Sequence, residues 1–154
     1  MFGFFRKRIK SVDDIDKLLK AEGAVKAGEI LRSEAEKGNL ICQISLSHMF
    51  LAIMDQENNP VILRDSTKKF VKYSEMAALQ GDAGTQYNLG KHLLTVVSED
   101  IREGNGKLSE GGRDFLRDSK KYLSMAATQN LPEAMESLSN LQDLFDWAES
   151  QEYV

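Results

Sequence analysis

Two histidines, one cysteine, a glycine-rich stretch and a series of carboxylates are the residues of this 154-residue chain that could do chemistry. His48 and His92 lie far apart in sequence and form no local ligand cluster. A single cysteine, Cys42, excludes an intramolecular disulfide framework and a cysteine-built zinc site. No base is implied beside Cys42, so it reads as a packed core thiol. His48 falls within an apolar helical pattern and reads as a core or groove histidine, whereas His92 reads as a surface side chain. Gly104-Asn105-Gly106 and Gly111-Gly112 could cradle a phosphate, but no buried strand precedes them, and a flexible loop fits better. There is no nucleophile elbow, P-loop or dinucleotide fingerprint. The expectation is a protein with no catalytic residue, metal or cofactor.

The carboxylates are more informative. Asp143, Asp146, Glu149 and Glu152 step by three, so they drift round a helix instead of forming a tight stripe. Trp147 and Tyr153 lie among them, and aromatic anchors beside charges mark binding hot spots. An acid/base pair or a divalent-metal site would need opposing groups from another segment, and none is implied. Two readings remain: a partner-binding face, or the solvated outer face of a terminal helix with Trp147 packed inward.

Charge is unevenly spread behind the net −4. Residues 1–10 carry Arg6, Lys7, Arg8 and Lys10 with no acid. Residues 122–154 carry Glu133, Glu136, Asp143, Asp146, Glu149 and Glu152 with no base. Phosphate affinity needs a continuous cationic surface, so a nucleic-acid partner is not expected; a cationic protein surface suits the acidic end. The start places Phe2, Phe4 and Phe5 around and before the basic cluster, the reverse of a secretory signal. No segment reaches a spanning length of apolar residues, and Leu40 to Met54 is broken by Gln43, Ser45, Ser47 and His48. A cytoplasmic protein is expected, with a leader at 1–10 and one domain at 11–154.

Helical periodicity dominates the elements that must position these groups. Ser11 starts a first helix with Ile15, Leu18 and Leu19 inward, ended by Gly23. A second runs from about Val25 to Lys37. The third, about Leu40 to Asp55, is apolar on most sides and reads as the central core helix. Asn58-Asn59-Pro60 breaks the chain, and Asp65 or Ser66 starts a fourth helix that closes at Gly81. Asp82 caps a fifth, Ser98 to Gly112 reads as an extended loop, and a sixth covers about Arg113 to Gln129. Asn130, Pro132 and Glu133 start a seventh. The fold class is all-α: about seven helices in antiparallel pairs.

An internal repeat underlies the pairs. Lys72-Tyr73-Ser74-Glu75-Met76-Ala77-Ala78-Leu79-Gln80-Gly81 returns 49 residues later as Lys121-Tyr122-Leu123-Ser124-Met125-Ala126-Ala127-Thr128-Gln129-Asn130. An earlier copy lies 43 residues before the first, matching Ala35 to Ala78, Gly38 to Gly81, Cys42 to Thr85 and Leu46 to Leu89. Small residues recur where helices approach closely, and glycine or asparagine recurs where a left-handed residue ends one helix and turns the chain back. The extra length of the second spacing is assigned to the glycine-rich loop.

These residues resemble the Sel-one-like repeat family, α/α solenoids related to tetratricopeptide repeats. Ala77-Ala78, Gly81 and Leu89-Gly90 match its pattern, with Thr85 in an alanine position. Ala126-Ala127, Ala134 and Leu138 match in the last copy, where Asn130 and Ser139 replace glycines. The first copy keeps Ala35, Gly38 and Leu46. The resemblance spans about residues 25–140 and implies a solenoid of roughly three repeats that binds other proteins. By the same resemblance the first helix of each pair lines a concave surface. That places Ile44, His48 and Leu51, then Tyr87, Lys91 and Leu94, then Glu136, Asn140 and Asp143 on it. With Asp146, Trp147 and Glu149 these form the expected partner-binding set. The expected function is a non-catalytic interaction module, specifically an immunity-type protein that neutralises a basic toxin. The alternative is an adaptor or assembly scaffold, held at a membrane by the aromatic-basic N-terminus. The number of copies in an assembly is left open.

Overall fold

The computed structural model describes residues 9–151, and among them every regular element is an α-helix. The leader expectations for Phe2, Phe4, Phe5, Arg6, Lys7 and Arg8, and the binding role of Glu152 and Tyr153, fall outside the described residues. Seven helices follow in order: α1 (Val12–Glu22), α2 (Ala24–Glu36), α3 (Leu40–Gln56), α4 (Pro60–Leu79), α5 (Ala83–Glu103), α6 (Glu110–Ala127) and α7 (Pro132–Ser150). Two compact units meet in sequence between Gln80 and Gly81, with α1 to α4 in the first and α5 to α7 in the second. Inside each unit a helix packs on its sequence neighbour, most extensively α3 on α4 and α5 on α6. Nearest-neighbour packing of this kind is how helical repeats build a core.

The first unit holds its main pair together in antiparallel register. Gln43, near the start of α3, meets Gln80, just past the end of α4: the Gln80 amide donates to Gln43 Oε1 at 2.6 Å. Midway, the hydroxyls of Ser47 and Ser74 share a buried hydrogen bond of 2.7 Å. One turn on, the Phe50 and Tyr73 rings stack with centroids 6.0 Å apart and planes 6° from parallel. Phe70, Leu46, Ala77 and Ala78 of the same two helices have no exposed surface. Gln43 is itself buried, and its amide donates to Ala35 O at 2.9 Å, so both ends of its side chain are satisfied. A buried amide is tolerated only when its donors and acceptor are used this way.

The second unit repeats this plan with different side chains. Gln129, past the end of α6, donates to Gln86 Oε1 at 2.9 Å near the start of α5. At the midpoint, glycine and leucine replace the two serines. A β-carbon on Gly90 would lie 2.8 Å from Leu123 Cγ, so the absence of a side chain on α5 is what lets Leu123 enter. Leu123 joins Leu94, Val97, Leu108, Leu116, Phe145 and Ala148 in the unit's core. The repeat positions keep their structural roles throughout. Cys42, Thr85 and Ala134 have no exposed surface. Gly38, Gly81 and Asn130 all take left-handed backbone, with φ of 91°, 97° and 61°. Asparagine is the substitute for glycine that this conformation penalises least.

Three boundaries differ from the sequence reading. α4 starts at Pro60, one turn or more before Asp65 or Ser66, because Asn59 caps it: Asn59 Oδ1 accepts from the backbone of Val61 at 2.9 Å and of Ile62 at 3.4 Å. Proline at the first helical position is a starter, since its missing N–H has no helical partner to lose. Val61 and Ile62 are exposed, which hid that turn from a reading based on buried periodicity. Asn130 does not cap α7; it ends the preceding turn, and Leu131 takes the cap position without a side-chain bond. α3 is covered over much of its length: Cys42, Gln43, Leu46, Ser47 and Phe50 are buried and Ile41, Ile44, Leu51, Ile53 and Met54 partly so, while His48 and Met49 are exposed.

The third difference is the stretch from Ser98 to Gly112. It is mostly helix: α5 continues to Glu103, α6 begins at Glu110, and a short turn joins them. The turn is pinned. Ser109 donates to Asp100 through its backbone N–H at 2.8 Å and its hydroxyl at 2.7 Å, and Ser109 Oγ accepts from Gly112 N at 2.9 Å. Asp100 thus anchors the residue that caps α6. These bonds favour the ionised carboxylate and hold the Asp100 pKa below its ordinary value. A group with a depressed folded pKa contributes stability above its unfolded pKa and loses it as pH falls through the folded one. Asp100→Asn should therefore melt lower at neutral pH and show a flatter acid limb than the parent between neutrality and pH about 2–3, followed by helical circular dichroism. Identical acid limbs would show that the carboxylate does not hold the turn.

Candidate functional site

α7 presents two unlike faces. Ala134, Phe145 and Ala148 are buried, and Leu138, Leu141, Leu144 and Trp147 pack partly buried against the second unit's core. Those positions recur at helical spacing and fix which way the helix is turned. The other side carries Glu133, Glu136, Asp143, Asp146 and Glu149, all exposed, with Asn140 between them. α7 contains no lysine or arginine. Glu149 is 3.5 Å from Lys120 of α6, and Asp146 accepts from the Gln142 amide at 2.7 Å. Glu133, Glu136, Asp143 and Asp146 form no ion pair among the described residues.

The placement of these acids works against the helix. Acids suit a helix N-terminus, where Glu133 sits, and bases suit the C-terminus. Here Asp146 and Glu149 occupy the C-terminal end, where the last turn carries no base. Each such mismatch costs about 0.3–1 kcal/mol at an exposed site. Their negative charge adds to that of the unpaired carbonyls and concentrates a field at this end of the unit.

The sequence-derived set is thus placed as follows. Glu136, Asn140, Asp143, Asp146 and Glu149 share α7 and are exposed. Trp147 and Tyr87 lie partly against the second unit's core, so part of each ring serves packing. Lys91 is exposed on α5. His48 is exposed on α3 of the first unit and is not a core histidine. Leu94, expected on a binding surface, is instead a core residue at 8% exposure. Ile44 and Leu51 are partly buried on α3. His92 is partly buried too, and burial lowers its pKa despite the opposing charge of Glu99.

Arg113, Arg117 and Lys120 escaped the sequence reading. Their spacing of four and three puts them on one stripe of α6, a signal masked in the sequence by Asp114 and Asp118 interleaved with them. Among the described residues no group of three or more His, Cys, Asp or Glu could hold a metal ion, and no helix is long and apolar enough to cross a membrane. Comparison with protein-family models, curated proteins and solved structures returns no match for this chain.

Proposed function

We propose that this chain is a non-catalytic protein-binding module of the Sel-one-like repeat type, and that it works as an immunity-type protein by neutralising a basic toxin. The carrying observation is that every charged residue of α7 is an exposed acid, with Asp146 and Glu149 at the end where the helix dipole disfavours them. A cationic partner would be steered to that face, and complementary charge acts chiefly on the encounter rate. The repeat reading draws on the matched left-handed residues at Gly38, Gly81 and Asn130 and the matched buried positions at Cys42, Thr85 and Ala134.

The test is co-purification with, and inhibition of, the product of an adjacent toxin-like reading frame. Replacing Glu136, Asp143 and Asp146 by lysine should slow association by about tenfold or more at low salt and leave melting nearly unchanged. Stopped-flow association rates across a salt series would show it. An association rate indifferent to all three reversals would overturn the reading.

A further inference from the structure

The second unit also carries a half-open cleft of about 400 Å³ between α6 and α7, within the size range of small-ligand sites. Its floor is apolar: Leu116, Phe145 and Ala148 reach it from the core, each no more than 6% exposed. One wall is cationic, formed by the Arg113, Arg117 and Lys120 stripe of α6. Glu149 stands on the opposite edge. Lys120 Nζ lies 5.1 Å from the centre of the Phe145 ring, which holds the ammonium at the boundary between floor and wall.

We propose that this cleft binds an acidic peptide segment in which a single carboxylate stands beside an apolar side chain. Three cations and one acid line the cleft; Arg117 is already paired with Asp114 of its own helix at 2.9 Å, so the charge that stands over is that of Arg113, although the protein and α7 are acidic. Arg113 makes no ion pair among the described residues. The pair that does cross the cleft is loose: Lys120 and Glu149 are 3.5 Å apart, with side chains 41% and 70% exposed. Exposed pairs of that kind contribute about 0–1 kcal/mol, so an incoming carboxylate displaces Glu149 at small cost. Guanidinium groups present paired donors that match a carboxylate. The floor supplies the second half of the recognition, because Phe145, Leu116 and Ala148 offer nothing to an inorganic ion and a dry contact to an aliphatic or aromatic group.

Charge density selects between anions. Glu149 and the neighbouring acids of α7 repel a dianionic phosphate or a nucleic-acid backbone more strongly than a lone carboxylate. The field that suits the acidic face to a basic partner thus also narrows what the cleft accepts. This inference does not rest on the acidic-face reading, and Glu149 separates the two. Neutralising it removes one charge from the acidic face but unblocks the cleft.

The probes are acetyl-Leu-Asp-Phe-amide, its asparagine counterpart acetyl-Leu-Asn-Phe-amide, and inorganic phosphate, each titrated into the full chain and followed by amide NMR shifts. The aspartyl peptide should bind saturably, with shifts concentrated on α6 and α7 around the cleft. The asparagine peptide and phosphate should each bind about tenfold more weakly or worse. Arg113→Glu and Lys120→Glu should each weaken the aspartyl peptide by about tenfold, and Glu149→Gln should tighten it by about threefold. Thermal melting of the same proteins checks that they remain folded, and Arg113→Gln offers a milder second variant should reversal unfold one. No saturable shift up to about 10 mM peptide, a Kd far too weak to matter, would overturn the proposal. So would equal binding of the asparagine peptide or of phosphate, or indifference to charge at positions 113, 120 and 149.

Discussion

Replacing Gly90 by serine should destabilise the protein by about 1–3 kcal/mol, and replacing Leu123 by serine by about 2–5 kcal/mol. The two changes together should cost less than their sum by about 1–2 kcal/mol. The reason is the shared midpoint of the two helix pairs. In the first unit Ser47 and Ser74 meet there, with their hydroxyls 2.7 Å apart. In the second, a β-carbon at position 90 would sit 2.8 Å from Leu123 Cγ and 3.3 Å from the Leu123 backbone nitrogen. Glycine inside a helix is about 1 kcal/mol worse than alanine, so this one is kept for the space it leaves. The Ser119 hydroxyl also donates to the Gly90 carbonyl at 2.9 Å and holds the crossing close. The double variant transplants the serine pair from the first unit into the second. Urea unfolding of the four proteins measures the coupling. Strict additivity would mean that the two crossings are not interchangeable.

Cys42 should react with a thiol reagent at pH 8 at least about 100-fold more slowly in the folded protein than in the unfolded chain. Burial, helped by the nearby charge of Glu34, pushes its thiol up to about 11 from 9.0, which leaves little thiolate to attack. The side chain has no exposed surface, so even the thiolate that forms is inaccessible until the fold opens. A thiol pKa raised in this way favours the neutral form in the folded state. Stability from this group is therefore intact below the unfolded thiol's range and falls as pH rises from about 9 towards 11. Cys42→Ala should remove that alkaline loss with little other change, since Ala134 fills the same repeat position in the last copy. A labelling rate equal in folded and unfolded protein would contradict the burial.

Much of the architecture was legible because it is written in periodicity and caps. Ser11, Gly23, Gly38 and Asp82 all mark helix ends where the sequence placed them. Asn130 was readable as a glycine equivalent for the same reason. The start of α4 was hidden because Val61 and Ile62 are helical yet exposed. The turn after α5 was misjudged because glycines signal loops unless a distant carboxylate, here Asp100, ties them down. The two glutamine bridges were half-visible. Gln80 and Gln129 stand in the quoted repeat, but their partners Gln43 and Gln86 look like ordinary polar residues until α3 and α5 are packed. Of the binding set, the acids of α7 step by three and their spacing alone names no single face; it is the burial of Ala134, Phe145 and Ala148 that turns them outward. The cleft was not legible either, because α6 and α7 both contribute to its floor and only their packing brings the two together.

The unequal repeat lengths have one more implication. α5 has 21 residues against 17 for α3, an extension of about 6 Å at the hairpin tip. The glutamine bridges close the opposite end of each pair, and the crossing at its middle keeps register. Length has therefore been added at the free tip without disturbing either fastening. Viewed as an engineering platform, the hairpin is a display arm. Foreign sequence spliced between Asn105 and Gly106 would be carried at its tip while Asp100 and Ser109 clasp the base.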